Sequence, residues 1–430
     1  MVFVIILIFV AGYACIALEA FTKVNKAAVT LLMCVLCWTA YCLVPGHDLS
    51  SLPESLGETA ETLFFLMGAM TIVEIVDANG GFNFVRDTMK TRSKRKLLWR
   101  VAFMTFFLSA ILDNLTTSIV MVMVLRKLIQ DPKERLVFAS MVIVAANSGG
   151  AFSPIGDVTT IMLWIKGVIT TQGVLTEIFI PSLISMLIPA AIISTQLKGR
   201  FDKEQNLPKS GASQFTKAQR TAIFWLGVGG LIFVPIFKTL THLPPFMGIL
   251  LVLGILWTVT EIFHHNTDEN DTMAKRVSDI MTKIDLSTIM FFLGILMAVA
   301  VLSEVGVLTA MGQWLNVTFD GNHYLVTGII GVLSSIVDNV PLVAGCMGMY
   351  PVEAVGDMAV DGIFWQLLAY CAGVGGSMLI IGSAAGVVVM GLEKITFGWY
   401  MKKITWIVFV GYLAGILYYW LEKSVLEGLF

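Results

Sequence analysis

Apolar runs of about 18 to 25 residues recur from one end of the chain to the other, and a helix of that length crosses roughly 30 Å of hydrocarbon. They fall at about 1–20, 27–44, 58–79, 97–128, 136–165, 176–197, 221–240, 246–263, 286–305, 323–348, 363–392 and 404–421. With 57% of the 430 residues hydrophobic and 13% charged, the chain reads as an all-α polytopic membrane protein, because only helices and closed barrels satisfy their backbone polar groups inside lipid. Lys plus Arg number 28 against 30 Asp plus Glu, a net charge of -2, so no global basic field exists to hold nucleic acid. The first 18 residues lack a basic start and a small-residue cleavage site, and are expected to span the membrane rather than to be removed. Cys34 and Cys37 form a C-x-x-C inside an apolar segment, where they and the other four cysteines are expected to be packing residues, with neither disulfide nor metal.

Basic residues orient these segments. The linker 86–100 carries seven Lys or Arg and is expected in the cytoplasm, yet the next polar stretch, 126–135, is basic too. Segment 97–128 is therefore expected to enter and leave on one side as a re-entrant hairpin, turning near LDNLTTS at 112–118. Residues 305–361 hold no Lys or Arg but contain Asp320, Glu353, Asp357 and Asp361, so a second hairpin, 323–348, is expected to enter from outside. Ten crossings plus two hairpins then leave both termini outside.

The two halves resemble each other. LSAILDNLTTS at 108–118 aligns with LSSIVDNVPLV at 333–343, and Gly149, Gly150 and Gly156 align with Gly375, Gly376 and Gly382, all at offsets of 225 or 226; FFL at 64–66 matches FFL at 291–293. Three landmarks in one order at a near-constant offset define a repeat. Five crossings per repeat, an odd number, turn the second copy upside down, the arrangement of secondary transporters. The expected organisation is a first repeat over 1–205 (hairpin about 97–128, broken helix about 136–165), a cytoplasmic linker over 206–220, and an inverted second repeat over 221–430 (hairpin about 323–348, broken helix about 363–392).

Chemistry concentrates at the breaks. Asp113-Asn114 and Asp338-Asn339 lie in mid-segment, where an ionised Asp costs roughly 2.5 to 3.5 kcal/mol on insertion scales. Asp and Asn are good helix caps, which is the plainer explanation; a neutral Ser or Thr would cap at less cost, which favours cation or proton binding, with Thr117 one turn on. NSGGAFSPIGDVTT at 147–160 cannot continue a helix through Gly149, Gly150, Pro154 and Gly156. Asn147, Ser148, Ser153, Asp157, Thr159 and Thr160, with freed carbonyls near Gly150, supply more oxygen ligands than one cap needs and suit a hard cation such as Na+ or Li+. The counterpart, 372–386, keeps the glycines but has Ser383 in place of Asp157, leaving Asp338 with Ser335, Asn339 and Ser377. A cation is therefore expected on the first-repeat side, at Asp113, Asn114 and Asp157, with Glu61 as a possible ion path. Solvated loop positions are expected for His47, His242, His264, His265 and His323. Competition of a proton and a cation for one buried carboxylate would couple their movements, and no G-x-x-x-x-G-K-[ST] nucleotide loop is present.

LDNLTTS paired with NSGGAFSPIGDVTT, and the second Asp-Asn in SSIVDNVPLV, resemble the NhaD-type sodium/proton antiporters over nearly the whole chain. That family belongs to the ArsB/NhaD ion transporter superfamily, and the resemblance implies two inverted repeats, a homodimer, and Na+ or Li+ exchange for H+ at a bacterial inner membrane, with no cofactor. Dicarboxylate carriers of the superfamily have Ser-Asn-Thr at the hairpin tips; Asp-Asn-Leu and Asp-Asn-Val here add negative charge, which disfavours an anionic substrate. An arsenite or organic-anion carrier is the nearer alternative. An intramembrane aspartyl protease using Asp113 and Asp157 is the remote one, since a protease has no need of a duplicated Asp-Asn, and H-E-x-x-H is absent.

Overall fold

The computed structural model describes residues 1–17, 24–43, 50–82, 88–89, 91–197, 199–201, 215–265, 277–336 and 338–426. These form helices and connecting turns, with no strand among the described residues beyond isolated bridges. Among the described residues, six helical stretches are long and apolar enough to cross a membrane unaided: Ser51–Ala78, Thr171–Gln196, Lys217–Thr241, Pro245–His264, Leu286–Glu304 and Phe397–Val425. Large exposed apolar side chains such as Leu32, Trp225, Leu240 and Trp406 coat the outside of the helices. This is a polytopic membrane protein.

In order, the elements are α1 (Val2–Ala17), α2 (Lys26–Cys42), α3 (Ser51–Ala78), α4 (Lys94–Leu112), α5 (Asn114–Leu128), α6 (Pro132–Ala151), α7 (Val158–Lys166), α8 (Thr171–Glu177) and α9 (Phe179–Gln196). There follow α10 (Lys217–Thr241), α11 (Pro245–His265), α12 (Val277–Met281), α13 (Leu286–Glu304), α14 (Val307–Thr318), α15 (His323–Ser334), α16 (Asn339–Met349), α17 (Ile363–Gly375) and α18 (Ala384–Glu393). The last, α19 (Phe397–Tyr400), continues through a π-turn at Met401–Thr405 into α20 (Trp406–Leu421).

Packing follows a pattern of matched pairs. Helix α2 lies along α13 while α11 lies along α3; α4 packs on α6 as α15 packs on α17; α5 meets α18 as α16 meets α7; and α9 runs against α20. The close approaches have a sequence cause. A Cβ on Gly149 would stand 2.1 Å from the Phe106 carbonyl oxygen, and one on Gly375 would stand 2.2 Å from that of Gly331, so only glycine lets α6 touch α4 and α17 touch α15 at these points. Ser109 donates to the Ala146 carbonyl (2.6 Å) and Ser334 to the Ala372 carbonyl (2.9 Å), which stitches the same two helix pairs.

Several sequence boundaries change. The stretch between 305 and 323, expected as an external linker, contains α14, which buries Leu308 and Gly312 and exposes Met311, Trp314 and Val317; its 12 residues are too short to span the bilayer, and it packs on the bundle instead. Helix α3 starts at Ser51, before the apolar run at 58, because its first turns are polar and exposed. Of the expected linker 206–220, residues 206–214 lie outside the described residues, and Thr216 forms a capping box with Gln219 that already begins α10. His264 and His265 belong to α11 rather than to a loop, and His323 opens α15 with Nδ1 2.9 Å from Asp357 Oδ2. His47 lies outside the described residues.

Candidate functional site

Two helices break where the sequence loses its helix formers. Between α6 and α7, residues 152–157 are unwound, and Asp157 turns into an extended conformation (φ -145°, ψ 144°) as N-cap of α7, its Oδ1 accepting the Thr159 N–H at 3.3 Å. Between α17 and α18, residues 376–383 are unwound, and Ser383 holds the matching place (φ -144°, ψ 154°), its hydroxyl accepting the Gly386 N–H at 3.1 Å. The other two breaks lie at the Asp-Asn pairs: Asp113 alone separates α4 from α5, whereas α15 ends at Ser334 and α16 begins at Asn339, with residue 337 outside the described residues. Asp113 joins α4 to α5 at φ 77°, ψ 159°, a region that costs a non-glycine residue about 1–3 kcal/mol and tends to mark functional positions. Its two carboxylate oxygens accept from the backbone N–H and the hydroxyl of Thr116, each at 2.8 Å. Asp338 caps α16 through Oδ1, which accepts the Val340 N–H at 3.3 Å. The capping explanation thus holds for all three aspartates, and their remaining oxygens carry the rest of the argument.

Asp157 is 1% exposed, and its Oδ2 is the meeting point of the two halves. Asn114 Nδ2 donates to it at 3.0 Å, and Asn339 Nδ2, 225 residues further on, approaches at 3.4 Å. Asn114 Nδ2 also reaches Asn147 Oδ1 at 3.0 Å, and Asn147 Nδ2 in turn donates to the hydroxyls of Ser377 and Ser383, each at 2.9 Å. One buried network therefore joins Asn114, Asn147, Asp157, Asn339, Ser377 and Ser383 from five elements and turns. Thr117 and Ser118 lie one turn along α5 from Asn114, fully buried, with hydroxyls that find no hydrogen-bond partner among the described residues. Thr159 is fully buried beside Asp157. Among the described residues no Lys or Arg forms an ion pair with Asp113 or Asp157.

Other expected site residues serve the frame. Ser148 pairs with Ser185 of α9 (2.9 Å). Ser153 donates to the Ala110 carbonyl at 2.5 Å and so fastens the first unwound stretch to α4, while Thr160 reaches back to the Ala151 carbonyl at 3.5 Å. Ser335, just past the end of α15, donates to the Val332 carbonyl (2.7 Å). A Cβ on Gly150 would meet the Gly156 carbonyl oxygen at 2.5 Å, so that glycine allows the unwound stretch to fold back on itself. Glu61 is half-buried on α3, and no described contact joins it to the Asp157 network. The sequence reading missed Lys26, whose Nζ lies 2.9 Å from Asp338 Oδ2 across 312 residues. A single Lys at the start of an apolar segment gives no sign of such a partner.

A sequence profile for the citrate transporter family matches residues 13–369. Sodium/proton antiporter 1 of Arabidopsis thaliana is 46% identical over 418 residues, covering 96% of this chain and 71% of that protein. Sodium/proton antiporter 2 of the same plant is 42% identical, covering 96% and 98%. The Na(+)/H(+) antiporter NhaD of Alkalimonas amylolytica is 31% identical, covering 98% and 91%. The chain belongs to the NhaD-type sodium/proton antiporters. Members of this transporter family move ions and are not enzymes, which removes the protease alternative.

Proposed function

We propose that the protein exchanges Na+ or Li+ for H+ by alternating access, the cation and the proton competing for the carboxylate of Asp157. The observation that carries this reading is the setting of that carboxylate: buried, at the start of a half-helix, approached by side-chain amides from two helix breaks 225 residues apart, and without a cationic side chain paired to it among the described residues. A carboxylate so placed is costly to leave ionised and alone, so a transported cation or a proton supplies the missing charge. Asn114 and Asn339 offer N–H groups in the present arrangement; half a turn about the Cβ–Cγ bond offers Oδ1 instead, which suits Na+. The unpartnered Thr117 hydroxyl and the Thr159 side chain supply further oxygens, and Asp113 adds negative charge to the same side. If only the loaded forms of the site reorient, exchange is obligatory and no cofactor takes part.

The same proposal includes two inverted repeats, each with a re-entrant hairpin (α4–α5 and α15–α16) and a broken helix (α6–α7 and α17–α18). It is supported by the matched pairings of the two halves and by length: α15 and α16, with 12 and 11 residues, are roughly 18 and 16 Å long, too short to cross 30 Å. We further propose a homodimer in a lipid bilayer with both termini outside. The bilayer is the bacterial inner membrane expected from the sequence or another that sustains a proton gradient, since the relatives include plant proteins.

The family description favours a second reading, transport of citrate or a related organic anion. Such an anion would have to sit among Asp113, Asp157 and Asp338, and of these only Asp338 has a lysine beside it among the described residues. The deciding experiment follows a pH-sensitive dye in everted vesicles. Na+ or Li+ is expected to move protons, K+ and citrate are not, and Asp157→Asn is expected to abolish the response. A citrate-dependent signal that survives Asp157→Asn would replace the exchanger by an anion carrier.

A further inference from the structure

We infer that Lys26 is a built-in cation for the second helix break: its ammonium holds the oxygen of Asp338 that a transported ion would otherwise take, confines Na+ to Asp157, and fixes the turn from which Asn339 reaches that site. The inference rests on the assignment of Asp157 as the cation site. Lys26 is the first residue of α2, and its Nζ lies 2.9 Å from Asp338 Oδ2 and 4.1 Å from the ring centroid of Phe291 on α13, so both charge and ring face hold it. The adjoining Asn25 caps α2 through the Ala27 N–H (2.8 Å) and hydrogen bonds with Ser287 at the start of α13 (2.9 Å). The lysine therefore projects from a backbone anchored to α13, and the two side chains of the pair are 22% and 14% exposed.

The two repeats differ here in kind. Asp113 spends both oxygens on Thr116 and has no cationic side chain in an ion pair with it among the described residues, whereas Asp338 spends one on its own helix cap and the other on an ammonium from the far end of the chain. An ammonium tethered in place competes at an effective concentration of about millimolar or more, and a Na+ that displaced it would have to break an ion pair whose side chains are only 22% and 14% exposed. The charge of Asp338 is thus met from within the protein, and that of Asp157 is left for the transported ion. Lys26 acts on the site through its neighbours: Asp338 fixes the start of α16, and the next residue, Asn339, directs its amide to Asp157 Oδ2 at 3.4 Å. Lys26 is in this sense a positioning residue.

The test counts 22Na+ bound per chain by the purified full-length protein at fixed pH, together with the half-maximal Na+ for exchange in proteoliposomes. Lys26→Met is expected to bind one more Na+ per chain than the native protein and to shift half-maximal Na+ several-fold; Lys26→Arg is expected to keep the native count. The double variant Lys26→Met/Asp338→Asn is expected to return the count to the native value. An unchanged count in Lys26→Met, or an extra Na+ that persists in the double variant, overturns the inference. If Lys26→Met does not fold, Asp338→Asn alone answers the same question: a native count supports the built-in cation, and the loss of one Na+ overturns it. Asp157→Asn forms a separate arm; if it keeps the native count, the cation-site assignment fails whatever Lys26 does.

Discussion

Asp157 and Ser383 occupy matched positions, both capping a half-helix, yet only Asp157 can trade a proton for a cation. Asp157→Asn keeps the shape and removes both capacities, so vesicles carrying it should show no Na+-driven proton movement. Ser383→Ala loses two hydrogen bonds that its hydroxyl accepts, from Asn147 Nδ2 and from the Gly386 N–H, and should retain a measurable fraction of the native rate. Equal loss in both variants would mean that the two breaks share the ion symmetrically. The matched aspartates of the two Asp-Asn turns differ too. Asp113→Glu should shift the half-maximal Na+ concentration, because one added methylene moves a charge held on a strained backbone. Asp338→Asn should leave more residual exchange than Asp113→Asn, since Asp338 is already neutralised by Lys26; a dead Asp338→Asn beside a normal Asp113→Asn would reverse the assignment.

Among the elements, α6 and α17 are the ones whose sequence is dictated by contact with a neighbouring backbone. Gly149→Ala would set a methyl group against the Phe106 carbonyl, and since that carbonyl belongs to α4 a whole helix must shift; the expected cost is about 1–3 kcal/mol, with a lower melting temperature in detergent. Gly57→Ala on the exposed face of α3 meets nothing within 4 Å and should leave the melting temperature unchanged or slightly higher. If both substitutions behave alike, the close approach of α6 to α4 is not what the glycine serves. A second constraint lies at the other end of these helices. The fully buried carboxylate of Glu393 takes hydrogen bonds from Arg126 (2.7 Å) and Arg135 (2.5 Å), and Arg126 also donates to the Leu392 carbonyl. The end of α5, the start of α6 and the end of α18 are thereby tied together.

At the scale of the whole molecule, coupling of two ions at one carboxylate has a definite pH signature. More protons mean more occupied Asp157, so the half-maximal Na+ should rise as pH falls, by up to about tenfold per pH unit where one proton is displaced per Na+, and should level off on the alkaline side. A half-maximal Na+ indifferent to pH across the active range would show that the two ions do not share a site. Topology is open to labelling as well. In a cysteine-free background, single cysteines replacing Arg92 and Lys133 should react only from the cytoplasm, and those replacing Val317 and Val355, both strongly exposed, only from outside. Labelling of 92 and 133 from opposite sides would remove the first hairpin and the inverted repeat with it.

Membrane class, the places where helices break and the polar residues gathered around Asp157 were legible in the sequence because each depends on residues close together along the chain. Twenty apolar residues must span, Gly149-Gly150 with Pro154 and Gly156 must interrupt a helix, and Asp157 beside them must cap the next one. The family resemblance rested on the same short strings. The partners of each polar group were decided only by tertiary structure. Asn147 and Asn114 both looked like ion ligands, but their order in the network, Asn114 to Asp157 and Asn147 to Ser377 and Ser383, depends on how α5, α6 and the second break are brought together. Ser148, chemically equal to Ser153 in the sequence, faces α9 because helical periodicity turns it away from the break. Lys26 is the extreme case: hydrophobicity alone places its helix in the membrane, whereas the pairing with Asp338 comes from the packing of α2 on α13 and of α13 on α16, contacts between segments about 260 and 50 residues apart that no local pattern encodes.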